Sequence, residues 1–384
     1  MNADKIYRQL KEKVVGQDAY VKQLSILGFK HELNQKLIAD YKTPVNNNLL
    51  VVGPTGCGKT FAAKELSRIL DVPFYEVDCS NIVQTGYKGM TSVEHILTDA
   101  VSRLKSGVRH AIIYLDEFDK VYDQGLDVRG EGTAQQQNFL KMLEPNEVIF
   151  KRNGGRYDDS ACYLDTAGIS FIATGSFDFV RRKQARRSSR MGFDTRPEEK
   201  RPLTKDDIIA AGFIPELIGR FGTIVNLNEL TKDDYYRILV GSKDSAYTQY
   251  QDFFSAANVR LSIDDSVFRK IADEAIEKKI GARGLNDVLG NYLVDAVYDV
   301  SCDETISRIS ISSADGQVAV RYGHRKPAKK ARGDDSCADI EMALIDGGPD
   351  YDEPERRRLK NAAGKQSRRA EGDLPGFSFD DEAL

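Results

Sequence analysis

Residues 48–70 read NLLVVGPTGCGKTFAAKELSRIL: an apolar run, a glycine-rich turn, and then a helical spacing of apolar positions. That order predicts strand, loop and helix. Working outward, VPFYEVD (72–78), HAIIYLDEFD (110–119), GISFIATGSF (168–177) and TIVNL (223–227) are further strand candidates separated by helical stretches. Apolar strands alternating with helices predict an α/β layer with a parallel, buried sheet.

The turn itself, GPTGCGKT, comprises Gly53, Pro54, Thr55, Gly56, Cys57, Gly58, Lys59 and Thr60, and fits G-x-x-x-x-G-K-[ST] between strand and helix. Its glycines let backbone N–H groups turn inward around phosphate oxygens, and the following helix N-terminus adds partial positive charge. Lys59 is then the group that reaches the outer phosphates of ATP, and the Thr60 hydroxyl is a ligand for Mg²⁺. The strand in AIIYLDEFDK ends in adjacent carboxylates, which a parallel sheet carries to its carboxyl edge beside that loop. Asp116 is the second candidate for Mg²⁺, partly through water, and Glu117 is the candidate to orient or deprotonate the attacking water. Thr174, at the end of FIATG, is either a structural strand-end residue or a group that bonds the γ-phosphate or that water. Asp119 reads as a surface cap.

The rest of the chain divides by texture. Residues 1–45 form a helical lead-in, 46–228 the large nucleotide-binding domain, and 229–322 a smaller, mostly helical α+β domain closed by a hairpin. Residues 323–384 are rich in Lys, Arg, Asp, Gly and Ala and read as a disordered tail. Within the large domain, RRKQARRSSRMGFDTRPEEKRP (181–202) is strongly basic, lacks helical or strand periodicity, and reads as a solvated loop. The net charge of -4, with signs mixed along the chain, argues against a general nucleic-acid binder. The polar N-terminus and the lack of a long apolar run predict a cytoplasmic protein outside any membrane. Five scattered cysteines without a C-x-x-C pair predict reduced thiols and no zinc.

Taken together, VVGQDAY, GPTGCGKT, GYKG, YLDEFDK, RGEGTAQQQNFLKMLE, GFIPELIGRF and GARGLNDVL occur in an order that resembles the ClpX-type AAA+ unfoldases, over residues 14 to about 322. The resemblance implies a homo-hexamer that hydrolyses ATP and threads protein substrates through a central pore. It implies that Arg220 is an arginine finger acting on a neighbouring subunit's ATP, that Arg283 is a sensor arginine on the same chain's nucleotide, and that Val15 contacts adenine. Tyr87, Lys88 and Gly89 correspond to the aromatic pore loop, with Lys88 where the family usually has Val, and RGEG (129–132) to a second pore loop. Met191, Gly192 and Phe193 stand where the family docks a ClpP-type peptidase. Two departures are the family's amino-terminal zinc domain, which has no counterpart in this sequence, and a pore-entrance loop that reads Gly154-Gly155-Arg156-Tyr157-Asp158.

These readings predict an ATP-driven unfoldase, the ATPase and substrate-specificity subunit of a Clp-type protease. A protease-independent remodelling chaperone is the alternative. A nucleic-acid motor is a third class, kept open only by the Arg-rich stretch 181–201.

Overall fold

The computed structural model describes residues 1–81, 110–122, 131–144, 147–151, 161–190, 201–241, 245–314 and 317–325. Two helices, α1 (Ala3–Lys11) and α2 (Asp18–Ala39), precede strand β1 (Leu49–Val52) and helix α3 (Lys59–Leu70). Strands β2 (Phe74–Asp78), β3 (Ala111–Asp116), β6 (Ile169–Gly175) and β7 (Thr223–Asn226) join β1 in a five-stranded sheet of order β2-β3-β6-β1-β7. Every described pair in it is parallel.

Period-two packing explains why these runs are apolar throughout. Leu49 and Val51 of β1 enter one core with Ile112 and Tyr114 of β3, while Leu50 and Val52 enter the opposite core with Ile113 and Leu115. Alternate side chains therefore serve opposite faces, and helices cover both. On one face α1, α2 and α3 bring Ile6, Leu24 and Leu66; on the other lie Phe118, Phe139, Phe213 and Phe221.

The C-terminal part has its own core, around Phe254, Ile271, Leu289 and Ile309. Helices α8 (Lys232–Val240), α9 (Ala246–Ala256), α10 (Asp265–Glu277) and α11 (Leu285–Cys302) pack on a three-stranded sheet of β8 (Arg260–Ile263), β9 (Ile306–Ala314) and β10 (Gln317–His324). The hairpin expected to close this part is β9 and β10, antiparallel and paired as far as His324. This mostly helical part opens with two separate helices, Lys232–Val240 and Ala246–Ala256. Thr231 caps the first in a reciprocal box with Asp234, and Ser245 caps the second through the Thr248 amide.

The basic segment 181–202 departs from its expected form. Its first half continues helix α5 (Asp178–Arg190). The first turn buries Phe179 and Val180, and Lys183 Nζ donates to the Ala211 carbonyl at 2.6 Å while lying 4.8 Å from the Tyr122 ring centroid. An all-polar remainder has no hydrophobic period to announce it, yet Arg, Lys, Gln and Ala are good helix formers once a turn is anchored. Two further helices, α6 (Lys205–Ala211) and α7 (Pro215–Gly219), and an antiparallel pair, β4 (Glu147–Lys151) with β5 (Ala161–Asp165), were also not expected. Helix α4 (Glu131–Leu143) lies between. Among the described residues, no helix is long and apolar enough to cross a membrane.

Candidate active site

Helix α3 starts at Lys59, with Gly58 at its N-cap in the left-handed region at φ 90. Its first amides thus face the mouth of the glycine loop, an arrangement suited to anionic oxygens. Lys59 Nζ donates to the carbonyls of Gly53 at 2.8 Å and Pro54 at 2.7 Å, so its ammonium is folded over the loop that it would leave for phosphate. Tyr20 fixes the same residue from behind, donating from its hydroxyl to the Lys59 carbonyl at 2.9 Å. The Cys57 thiol is buried beneath the loop, 2.9 Å from the Pro54 carbonyl, and burial raises its pKa.

A cleft of ≈ 520 Å³ opens above the loop, lined by Thr55, Gly56, Cys57, Gly58, Lys59 and Thr60. Gly53 and Pro54 are not among the lining residues; the Gly53 amide donates to the Gly175 carbonyl at 3.0 Å, extending the β1–β6 pairing. Val15 also lines the cleft, as do Ile238 and Leu239 of the C-terminal part. The VVGQ segment is tied to the chain between the two parts, since Gln17 donates to the Asn228 carbonyl at 2.9 Å and accepts from the Asn228 amide at 3.3 Å. Arg283, exposed on the turn before α11, lines the cleft together with Asp116 and Glu117. The Ala282 amide beside it donates to the Gly56 carbonyl at 2.9 Å.

Asp116 closes β3, and Glu117 follows with φ 51, in the left-handed region. Backbone in that region costs a non-glycine residue about 1 kcal/mol or more and is held only where surrounding contacts impose it. Here the Glu117 amide donates to Asp116 Oδ1 at 3.0 Å. The turn presents both carboxylates to the cleft, opposite Lys59 and Thr60.

Thr174 stands just beneath the cleft rather than on its lining. It is fully buried and lines no part of the cleft; its Oγ1 lies 2.9 Å from Asp116 Oδ1 and 3.0 Å from the Tyr114 hydroxyl. The pleat accounts for these contacts: two residues after Ile172, Thr174 falls on the face of the sheet that also carries Tyr114. Asp119 is no surface cap. It is buried, and its Oδ2 accepts from the Phe177 amide at 3.1 Å and from the Ser176 hydroxyl at 3.2 Å. Phe177 carries φ 53, so Asp119 holds a second strained turn beside the cleft.

Arg220 lies away from this cleft. It follows α7 and precedes β7, whose Thr223 pairs with Leu49, the first residue of β1. It therefore sits at the amino edge of the sheet, and the glycine loop at the carboxyl edge, about 13 Å away along a four-residue strand. Its carbonyl accepts from the side chains of Asn46 at 2.9 Å and Asn48 at 3.2 Å, and its half-exposed guanidinium pairs with Glu144.

Tyr87, Lys88, Gly89, Met191, Gly192 and Phe193 lie outside the described residues, as do Arg129, Gly130 and residues 154–158. The side chains at 131–132 and the tail from 326 are also not described. Residues that sequence reasoning passed over include Tyr114, whose hydroxyl also lies 3.0 Å from Thr60 Oγ1. A signal for it existed: it is the one hydrogen-bonding side chain inside a buried apolar strand, and such groups need partners. Ser245 and Gln249, which line the cleft from the C-terminal part, carried no local signal.

The site has the donor set that Mg²⁺·ATP requires. The hydroxyl of Thr60 and the carboxylate of Asp116 are hard oxygen ligands, and Lys59 with the α3 amides supplies positive charge opposite them. Among the described residues no group of three or more His, Cys, Asp or Glu gathers as a metal site.

Residues 45–224 match the family described as AAA domain (Cdc48 subfamily), and residues 230–311 that described as the C-terminal, D2-small domain, of ClpB protein. The chain is 33% identical over 318 residues to the ATP-dependent Clp protease ATP-binding subunit ClpX of Bacteroides thetaiotaomicron, covering 77% of this chain and 76% of that one. The protein of the same name from Treponema denticola is 34% identical over 315 residues, 76% and 75% of the two chains. That from Azotobacter vinelandii is 34% identical over 325 residues, 76% and 73%.

Proposed function

The chain belongs to the ClpX-type family of AAA+ ATPases, and from that premise we propose that it is a ring-forming, ATP-driven protein unfoldase serving as the ATP-binding subunit of a Clp-type protease. It is an ATPase. The observation that best supports the reading is the separation of two cationic devices. Lys59 and Arg283 line the chain's own cleft, while Arg220 stands at the opposite edge of the sheet with its guanidinium half exposed.

In this reading ATP occupies the cleft with its phosphates on the glycine loop and α3 amides and its base near Val15. Thr60 and Asp116 would hold Mg²⁺, which would supply charge neutralisation at the phosphates. Glu117 orients the attacking water. Lys59 exchanges two loop carbonyls for phosphate oxygens, and Arg283 reports the nucleotide to the C-terminal part. Arg220 reaches the ATP of the next subunit in a homo-hexamer, and a finger of this kind is worth about 10³–10⁵ in rate. Tyr87 with Lys88 and Gly89 grips protein substrates, and Met191-Gly192-Phe193 docks a ClpP-type peptidase, in the cytoplasm.

The test is substrate trapping with the Glu117→Gln variant. We expect it to bind ATP, assemble, fail to turn over, and retain protein substrates together with a peptidase. Normal hydrolysis would refute the role of Glu117. Substrates held with no peptidase would instead favour the remodelling chaperone.

A further inference from the structure

Three consecutive asparagines, Asn46, Asn47 and Asn48, lead into β1 at the amino edge of the sheet. Asn47 goes one way, donating to the Leu27 carbonyl of α2 at 2.9 Å and to Ser170 Oγ at 2.7 Å. Asn46 and Asn48 go another. Both donate to a single atom, the Arg220 carbonyl oxygen, at 2.9 Å and 3.2 Å.

These contacts use the amides fully. Asn46 Oδ1 accepts from the Asn48 backbone amide at 3.0 Å, which leaves its Nδ2 to donate to Arg220. Asn48 Nδ2 carries two protons and has two carbonyls in reach, those of Arg220 and Leu143, both at 3.2 Å. The Asn48 carbonyl accepts in turn from the Gly222 amide at 3.0 Å. Leu143 ends α4 and Arg220 caps α7, so both carbonyls stand at helix C-termini, where the helix supplies no donor of its own. Asn48 is buried, and carbonyls in such a place need a partner.

One side-chain amide therefore holds the backbone on both sides of an ion pair. Glu144, next to Leu143, accepts from the Arg220 guanidinium, and its own carbonyl accepts from Thr166 Oγ1 at 2.5 Å. Lys205 donates to the carbonyl of Phe221, the residue after Arg220. The Arg220 side chain is long and half exposed, so what its guanidinium can reach depends on where its backbone is held.

We propose that Asn46 and Asn48 are positioning residues for Arg220, fixing its backbone so that the guanidinium meets the neighbouring subunit's nucleotide in one register. They act through Arg220 and stand at the sheet edge opposite their own glycine loop. The proposal rests on the role of Arg220 across the subunit boundary proposed above.

The experiment measures steady-state ATP turnover of the full chain, alone and in mixtures. Asn48→Ala and Asn46→Ala should each bind a fluorescent ATP analogue as the parent does, yet lower turnover about 10-fold to 100-fold, the scale of a misplacement of about 1 Å. Each is then mixed with Glu117→Gln, which keeps its Arg220 anchorage but cannot use its own cleft. Turnover should rise above the sum of the two alone, because the intact cleft of the asparagine variant receives a well-held arginine from its neighbour. Parental turnover in either variant would overturn the proposal. So would a loss that Glu117→Gln does not relieve, since the defect would then lie in the variant's own cleft or in assembly. Should Asn48→Ala fail to fold, Asn46→Ala decides, because that position is exposed. A mixture of Arg220→Ala with Glu117→Gln runs beside them: if that pair recovers nothing, the action of Arg220 on a neighbour fails first and the proposal falls with it.

Discussion

Gly56 of the glycine loop and Gly281 of the C-terminal part meet back to back: a Cβ built on either would stand 2.8 Å from the Cα of the other. Both have positive φ, 76 and 66, and the contact is sealed by the Ala282 amide on the Gly56 carbonyl. Two residues beyond Gly281 is Arg283. The glycine loop and the segment that carries Arg283, which shares its cleft, thus meet backbone to backbone.

Gly281→Ala should break this junction. The added methyl would meet backbone, which cannot rotate aside, and strain of roughly 1–2 kcal/mol corresponds to about ten-fold weaker nucleotide binding. Equilibrium titration with a fluorescent nucleotide reads it; parental affinity would show that the close approach has no functional weight.

Arg220→Ala should lower turnover by about 10³-fold or more while leaving nucleotide binding to the isolated chain intact, because the residue lies at the other edge of the sheet. Mixed with parental subunits, it should inactivate rings beyond its own share. ATPase activity that falls only in proportion to the mutant fraction would refute action across the subunit boundary.

Asp119→Ala removes the acceptor for the buried Phe177 amide, and an unsatisfied buried donor costs about 1–3 kcal/mol. Urea unfolding should show that loss. Asp119→Asn should recover most of it, since its carbonyl oxygen can still accept. Equal loss in both variants would mean that charge rather than the Phe177 contact matters.

His31 should make folding acid-sensitive. Burial pushes its imidazole down to about 4 from 6.5, with the neighbouring His110 lowering it further and Glu32 opposing. Its Nδ1 lies 2.8 Å from Ser170 Oγ. The unfolded chain takes up the proton first, below pH 6.5, whereas the folded one resists until about 4. Stability is therefore present above the unfolded value and lost as pH falls through that window, by about 3 kcal/mol in all. His31→Gln should flatten the slope of unfolding free energy against pH between 7 and 4. An unchanged slope would remove His31 as its source.

How much of this was legible depended on whether a signal was local. The strand-loop-helix of residues 48–70 and the paired carboxylates after AIIYL announce themselves, because phosphate binding needs backbone amides and acids at fixed positions next to one strand. The helix 178–190 was invisible because its anchoring residues, Phe179 and Val180, occupy a single turn and the rest is uniformly polar. Asp119 was misjudged because its partners lie nearly sixty residues away, at Ser176 and Phe177.

The chain's order of residues by itself determined the nucleotide chemistry, the parallel sheet, and the family, since each rests on short-range periodicity or on motif spacing. Only the tertiary structure decided that Thr174 serves Asp116 from within the core, that Tyr114 joins Thr60 to it, that Gly56 needs Gly281, and that Arg220 faces away from its own cleft. Those are relations between strands and between the two parts of the chain. They follow from register and packing, which bring together residues that no pattern along the backbone connects.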